Sequence, residues 1–347
     1  MKTKLNIAKA LFKIEILKQK PKALNTGNKA SKTINCKKAI YNPENLNRII
    51  KCGFGRNIND EIYKIKSNVM QLKEIESYEI SNAIIYDGLI LLEKDYYFLS
   101  SELSFNTIMK RTTELNEATL LNTKQGLRYF GHWLQDDCAM YEKIKDAQNI
   151  FSLTKPRWPD ISFYTSAFDQ RWNELNIAHI RKLHIHRELG FNLSKLERWN
   201  NLRNKLREKH QTQNNNGGIV YIKRGNLGDK REIVNEQELI NKFIASGIKI
   251  IEPATGGEKF IPEILDASII IAVEGSQLCH AVYSIKNNGG IVVLQPPERF
   301  YNPHIEWCRL MNISYALVIG EKHGDGFKIY ANEVLEAIED IIRIANS

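Results

Sequence analysis

The pattern from Ile219 to Ala345 constrains the fold more than any other feature of this chain. Apolar runs of five or six residues take turns with segments of helical period. Ile219 to Lys223 leads to a helix opening at Asn235, Ile248 to Glu252 to one over Glu258 to Leu265, and Ile269 to Val273 to one after Gly275-Ser276. Ile291 to Gln295 then leads to His304 to Met311, and Ser314 to Ile319 to Asn332 to Ala345. Strands alternating with helices specify a parallel sheet covered on both faces, because each parallel connection has to cross over and a helix makes the crossing. Gln211 to Gly218 (QTQNNNGG), just before this pattern, is polar, glycine-ended and without period, and reads as a linker.

Upstream the pattern is looser. Tyr78 to Tyr86, a turn at Asp87-Gly88, Leu89 to Leu92 and Tyr96 to Leu99 read as a β-rich opening, since Asp-Gly between apolar runs is a hairpin signal. Helical period is expected from His132 to about Ile150, a strand at Ile161 to Thr165, a helix near Gln170 to Leu175 and a strand near Lys182 to His186. A charged helix over 193–210 should turn Trp199 and Leu202 inward. At 347 residues two domains are expected. The reading gives a basic N-terminal extension over 1–75, a first α/β domain over 76–212 and a second, Rossmann-like domain over 213–347.

Charge is concentrated at one end. Residues 1–50 hold eleven lysines and Arg48 against Glu15 and Glu44, a balance of +10, whereas the whole chain carries +9. The body is therefore close to neutral. Nucleic-acid enzymes spread basic residues over a groove in the body, so this distribution argues against that class. Leu5 to Lys20 mixes apolar residues with lysines and can lie on an anionic membrane surface; residues 1–38 would then form a peripheral anchor at the inner membrane face. The same segment also suits a helix docked on the body, followed by a solvated tether. The cysteines (Cys36, Cys52, Cys138, Cys279 and Cys308) are odd in number and lack metal or redox spacing, which fits a reducing, cytoplasmic compartment. No apolar run is long enough to cross a bilayer, and no signal peptide is expected.

Four constellations can carry chemistry. His132 and Asp136, in Gly-His-Trp-Leu-Gln-Asp-Asp, share a helix face, and a carboxylate beside an imidazole raises its basicity; either group can act as a general base. The spacing equally suits a helix N-terminus with a capping network. Lys223 and Arg224 end a strand, with Gly225 and Gly228 bending the loop that brings back Lys230 and Arg231. Such a cluster neutralises a diphosphate, or is simply a solvated basic loop. Asn235-Glu236 behind it reads as a helix cap. Glu274-Gly275-Ser276-Gln277 joins a strand to a helix, where Gly275 permits close approach, Ser276 can bond a phosphate oxygen and Glu274 can accept from ribose hydroxyls; an ordinary strand–helix turn is the alternative. His184 and His186 point to one face of a strand and can ligate a metal, although no third ligand is apparent and a polar sheet edge accounts for them as well. No Asp-x-Asp occurs anywhere, so no metal is expected at a diphosphate.

In order, these motifs resemble glycosyltransferase family 61, often described as capsular polysaccharide biosynthesis proteins. His132-Trp133-Leu134-Gln135-Asp136 is similar to the family's His-Trp-Leu-x-Asp helix. Tyr221-Ile222-Lys223-Arg224, with Arg231 and Asn235-Glu236 behind, resembles its arginine loop. Ala272 to Leu278 resembles its Gly-x-His-Gly-Ala/Ser-x-Leu turn. The chain departs where Gly225 follows Arg224 instead of a second arginine, and where Glu274 stands in place of a histidine. The resemblance covers roughly residues 75–330 and implies a GT-B arrangement: two Rossmann-like domains facing a central cleft, the first on the acceptor side and the second binding the donor. It further implies an inverting transfer from a nucleotide-sugar, usually a uridine-diphosphate sugar; the acceptor is expected to be a glycan or lipid-linked, and the missing Asp-x-Asp predicts independence of metal. Lys223, Arg224, Lys230, Arg231, Glu274, Gly275, Ser276 and Gln277 would hold the donor, and His132 or Asp136 would be the base. Two rivals remain beside it: a pyruvyl transferase-like enzyme of polysaccharide assembly, and a non-catalytic sugar-binding subunit.

Overall fold

The computed structural model describes residues 32–91, 96–98, 112–155, 158–188, 190–210, 218–224, 231–253 and 256–346. The membrane-surface segment up to residue 31, the linker residues 211–217 and Lys230 lie outside the described residues. The strands in chain order are β1 (Thr33–Asn35), β2 (Val69–Gln71), β3 (Glu76–Tyr86), β4 (Leu89–Leu91), β5 (Tyr96–Phe98), β6 (Thr113–Leu120), β7 (Ile150–Ser152), β8 (Asn173–Glu174), β9 (Ile177–Arg187), β10 (Ile219–Ile222), β11 (Lys249–Ile251), β12 (Ile269–Val273), β13 (Gly290–Gln295), β14 (Ser314–Ile319), β15 (Glu321–His323) and β16 (Gly326–Lys328). They belong to two compact units that do not follow chain order. Among the described residues the first unit takes 73–158 and 169–190, and the second takes 32–72, 159–168 and 191–346.

The second unit is built on a five-stranded sheet in the order β11-β10-β12-β13-β14, with every neighbour parallel. Every residue of β12, β13 and β14 is buried, which is why these strands read as unbroken apolar runs in the sequence. One face packs on Leu239, Ile240 and Phe243 of helix Glu236–Ala245 and on Val334, Ala337, Ile338 and Ile341 of helix Ala331–Ala345. Each of these side chains larger than alanine stabilises by about 1.5–3 kcal/mol when removed from water. Helix Leu193–His210 buries Trp199 and Leu202 as its period predicts.

Residues 32–72 close on this same sheet. Ile40 bonds in the manner of a strand beside β14, donating to Tyr315 O and accepting from Leu317 N. Arg48 makes a two-pronged pair with Glu333 (2.9 and 2.7 Å), and Lys37 donates to Asn312 O. The excursion 159–168 also belongs here. The β-branched residues of Ile161 to Thr165 suggest a strand, but the segment is the helix Ile161–Ala167. Phe163, Tyr164 and Ala167 are its buried residues, a helical spacing, and Thr165 bonds back to Ile161 O (3.0 Å).

The first unit holds a mixed seven-stranded sheet in the order β5-β4-β3-β9-β6-β7-β8. The expected hairpin forms at Asp87-Gly88, where both residues have positive φ (46° and 92°), the geometry that matches the twist of the flanking strands. Helical period ends at Ile144, before Asn149 (φ 50°) turns the chain into β7. The helix expected near Gln170 to Leu175 is instead the short strand β8, paired with Phe151 and Ser152 of β7.

The three central strands share a fault in their alternation. The inward set runs from Ile80 to Ala83 and Ile85 on β3, from Leu115 to Ala118 and Leu120 on β6, and from Ile180 to Leu183 and Ile185 on β9. Each strand steps by three where a regular strand steps by two. The steps lie side by side, because Lys182 pairs with both Ser81 and Glu117, and Ile180 pairs with both Ala83 and Leu115. Asn82, at φ 52°, stands within the fault.

Candidate active site

In the first unit, the chain leaves β6 through Asn122-Thr123 and enters a helix at Phe130. Helix Phe130–His132 passes through a π turn, Trp133–Asp137, before Cys138–Ile144 resumes α geometry, and Cys138 N–H accordingly donates to Trp133 O five residues back. Single π turns within α-helices recur at functional sites. Fully buried Trp133 packs against Phe130 (5.8 Å between ring centres) and Trp158 (6.2 Å), which fixes the helix start. On this frame His132 Nδ1 and Asp136 Oδ2 are 2.8 Å apart, and the imidazole is 44% exposed. With the Nδ1 proton shared towards Asp136, Nε2 is the basic nitrogen.

Asp137, the next residue, does something different. Its Oδ1 accepts from Thr123 N (2.9 Å) and Thr123 Oγ1 (2.8 Å), and its Oδ2 accepts from Asn122 Nδ2 (3.1 Å). Asn122 Oδ1 in turn accepts from Leu153 N (2.7 Å), so this carboxyl ties the helix to the ends of β6 and β7. Full burial pushes its pKa up to about 7 against the pull of those three donors.

In the second unit, the order β11-β10-β12 has a switch point between β10 and β12, where successive connections leave in opposite directions. Open α/β sheets bind ligands outside the carboxyl ends of strands at such a point. Arg224 follows β10 and Glu274-Gly275 follow β12, one on each side of it. Arg231 Nη1 donates to Glu274 O and lies 3.2 Å from Glu274 Oε2, and Arg224 Nη1 is 3.5 Å from the same backbone oxygen. The Arg231 and Glu274 side chains are 8% and 4% exposed, a buried ion pair. The carboxylate expected to meet ribose hydroxyls is thus turned to a guanidinium.

Gly275 has φ 152°, and a Cβ there would come within 2.5 Å of Arg231 Nη1 and 2.8 Å of Arg224 Nη1. Both the backbone and the two arginines require glycine at this position. Ser276 is exposed and opens the helical turn Ser276–His280, while Gln277 Nε2 donates to Ile222 O (3.4 Å) at the end of β10. Lys223 points elsewhere, pairing with Glu252 (2.6 Å). Asn235 does not cap its helix; its side chain exchanges two hydrogen bonds with the Ile329 backbone, and Glu236 accepts from Tyr221 Oη (2.8 Å). The sequence therefore brings together His132 with Asp136 in one unit, and Arg224, Arg231, Glu274 and Gly275 in the other.

His184 and His186 are not on a sheet edge, since β9 is central. The fault sends them to the face opposite Leu183 and Ile185, where they line a cavity of about 340 Å³ with Glu117, Thr119, Asp146 and Gln148. His184 Nε2 is bonded to Glu117 Oε1 (2.7 Å) and His186 Nδ1 to Ser77 Oγ (2.8 Å). Among the described residues no group of three or more His, Cys, Asp or Glu side chains could hold a metal ion. No helix among them is long and apolar enough to cross a membrane.

Sequence reasoning missed three features. Asp137 could have been suspected from the doubled aspartate. Arg299, in a Pro-Pro-Glu-Arg run after β13, lies 4.0 Å from Glu274 Oε2 and gave no local signal. Buried His280 takes Tyr164 Oη at 2.7 Å on Nδ1, with Asp160 3.8 Å from Nε2; burial holds the imidazole down to a pKa of about 3.

Residues 130–292, just under half of the chain, match the family model Glycosyltransferase 61. The matched span opens on the helix of His132 and closes within β13, so it takes in both the imidazole–carboxylate pair and the arginine–glutamate turn. The class of this protein is accordingly glycosyltransferase. Over that span it is similar to glycosyltransferase family 61. No curated protein matches the chain. Among solved structures, E. coli heptosyltransferase WaaC with ADP-2-deoxy-2-fluoro heptose is a distant likeness. It is 12% identical over 66% of this chain and 99% of that chain, with a TM-score of 0.32.

Proposed function

We propose that this glycosyltransferase has a GT-B-like pair of α/β domains. In this reading it moves a sugar, with inversion and without a metal, from a uridine-diphosphate sugar to a glycan or lipid-linked acceptor of surface polysaccharide assembly, at the cytoplasmic side of the membrane. The observation that carries it is the guanidinium pair of Arg224 and Arg231 at the switch point of the parallel sheet, Arg231 paired with the buried Glu274 carboxylate and Arg224 near the Glu274 backbone oxygen, beside a glycine that leaves them room. Guanidinium groups offer planar forks to phosphate oxygens, and prepositioned cations need no reorganisation as charge develops.

The step is as follows. The acceptor oxygen attacks the anomeric carbon on the face opposite the diphosphate, the bond from that carbon to the diphosphate oxygen breaks, and the nucleoside diphosphate departs. The acceptor proton goes to His132 or Asp136. Negative charge grows on the departing oxygen in the transition state, where the arginines bind it more strongly than in the ground state. Cationic side chains at the diphosphate, together with the absence of Asp-x-Asp from the sequence, support metal independence.

A turnover assay on a panel of nucleotide-sugars tests this reading by following nucleoside-diphosphate release. Arg224→Ala is expected to lower kcat/KM by about two orders of magnitude, near 3 kcal/mol of transition-state stabilisation. His132→Ala and Asp136→Ala are expected to lower kcat by about 10²–10⁴-fold if that group takes the proton. A wild-type rate in Arg224→Ala overturns the diphosphate assignment. Release of inorganic phosphate in place of nucleoside diphosphate favours a pyruvyl-type transfer, and activity abolished by chelator and restored by manganese overturns metal independence.

A further inference from the structure

The cavity over β6 and β9 takes part in no step derived above. Because the fault shifts both strands together, Glu117 and Thr119 of β6 share a face with His184 and His186 of β9, and Thr119 is paired directly with His184. Ile150, paired with Thr119, and Leu121 form a cluster with Met140, Tyr141 and Ile144 of the helix that follows the His132 turn. Where that helix ends, Asp146 to Gln148 make a wall of the cavity. Asn149 fastens the wall to β6: its Nδ2 donates to Glu117 O (2.8 Å), and its backbone oxygen accepts from Thr119 N (3.3 Å). At about 340 Å³ the space is at the lower end of small-ligand sites.

The lining selects the guest. Thr119 is only 2% exposed, yet no described residue hydrogen-bonds its hydroxyl, and it lines the cavity. A buried hydroxyl left without a partner is costly, and a ligand that bonds it offsets the cost. The Asp146 carboxylate and the Gln148 amide are likewise without partners among the described residues. Glu117 is already compensated by His184 Nε2 (2.7 Å) and Lys182 Nζ (3.6 Å). A phosphate would meet two carboxylates here, an apolar guest would meet a polar lining, and no group of described side chains suits a metal. A sugar fits, because each of its hydroxyls both donates and accepts, and carboxylate, amide, hydroxyl and imidazole groups supply partners of both kinds. We propose that this cavity holds one uncharged sugar residue of the acceptor glycan. The helix from His132 to Ile144 rises by about 18 Å, so the residue held here is a more distant one than the residue that reacts. The inference rests on the glycosyl-transfer reading above and adds the place where the acceptor is anchored.

Saturation-transfer NMR on the full-length protein tests the site with no donor present. The probes are the methyl glycosides of glucose, galactose, mannose, rhamnose and N-acetylglucosamine, with methyl phosphate and methylammonium as charged controls. At least one glycoside is expected to bind. Thr119→Val, which keeps the shape and deletes the hydroxyl, should weaken it about fivefold, the effect of one hydrogen bond. Ala147→Trp, a change at an exposed position that fills the cavity, should abolish it. Binding of no glycoside, wild-type affinity in either variant, or binding of a charged control in place of a glycoside overturns the site while the donor reading stands. Failure to release nucleoside diphosphate from any nucleotide-sugar overturns the donor reading and the acceptor role with it; glycoside binding that both variants weaken would then mark a sugar-binding subunit.

Discussion

Each unit buries one carboxylate beside its candidate chemistry, and the two are held in opposite ways. Glu274 is turned to the cation of Arg231, with Arg299 close behind. Asp137 is hydrogen-bonded by the neutral donors Thr123 N, Thr123 Oγ1 and Asn122 Nδ2. A carboxylate locked to guanidinium is a fixed charge whose use is to aim cations. One held by neutral donors in a buried site approaches neutrality as a titrating group, and its use is to fasten chain segments together. Burial alone does not say which role an acid plays; the charge of its partners does.

The largest test of this contrast is Arg231→Ala, which leaves the Glu274 carboxylate buried without its nearest cation. Removal of one member of a buried pair costs about 3–5 kcal/mol, so the second unit's denaturant midpoint should drop sharply. A drop as small as that of a surface substitution would equate Glu274 with an ordinary turn residue. Next comes Gly275→Ala, whose new methyl group displaces both guanidiniums. It should lower kcat/KM about a hundredfold, near the 3 kcal/mol of a lost oxyanion donor; wild-type turnover would mean that the arginines do not act from where they stand.

Asp137 gives a smaller effect with a definite sign. Its folded pKa, about 7, lies above the unfolded value near 3.8, so between those limits the folded state keeps a proton that the unfolded state has lost. Its contribution to stability is complete below about pH 4 and is lost as pH rises through 7, by at most about 1.4 kcal/mol per pH unit. Asp137→Asn should flatten that slope in thermal melts recorded from pH 5 to 8. His280 shows the reverse. Its folded pKa, about 3, lies below the unfolded value near 6.5, so its contribution is present above pH 6.5 and declines as pH falls. From pH 6.5 to 5.5 the loss should be about 1 kcal/mol and should vanish in His280→Gln, whose side chain can still accept from Tyr164; an unchanged acid limb in that variant assigns the loss to another group.

How much of this was legible in the sequence follows from the same physics. The runs IIIAV, GIVVLQ and SYALVI are buried on both faces, so each announces a parallel strand without help from its neighbours. In the other unit, β6 reads TELNEATL and β3 changes its inward parity at Asn82, so no simple alternation survives for a reader to find. The short helix at Ile161–Ala167 was hidden by its β-branched Ile161 and Thr165, while the partner of buried Tyr164, His280, lies 116 residues further along the chain. His132 and Asp136 were legible because one helical turn separates them. The Arg231–Glu274 pair was not, because it depends on two sheet edges 43 residues apart. The meeting of Cys52 to Arg56 with Arg299 was equally hidden, since only the folded chain brings that loop there.

The docking of residues 32–72 on the last strand of the parallel sheet has a consequence for biosynthesis. Lys37 meets Asn312 across 275 residues, and Arg48 meets Glu333 across 285. At a ribosomal rate of about 5–20 residues per second, the early segment waits from roughly fifteen seconds to a minute for its partners to be translated. Ile65, Met70 and Leu72 are all buried in the finished molecule, and in that interval the chain that residues 32–72 dock on has yet to be made. The nascent chain thus carries an uncovered apolar stretch through most of translation, the state in which a holdase chaperone finds its clients.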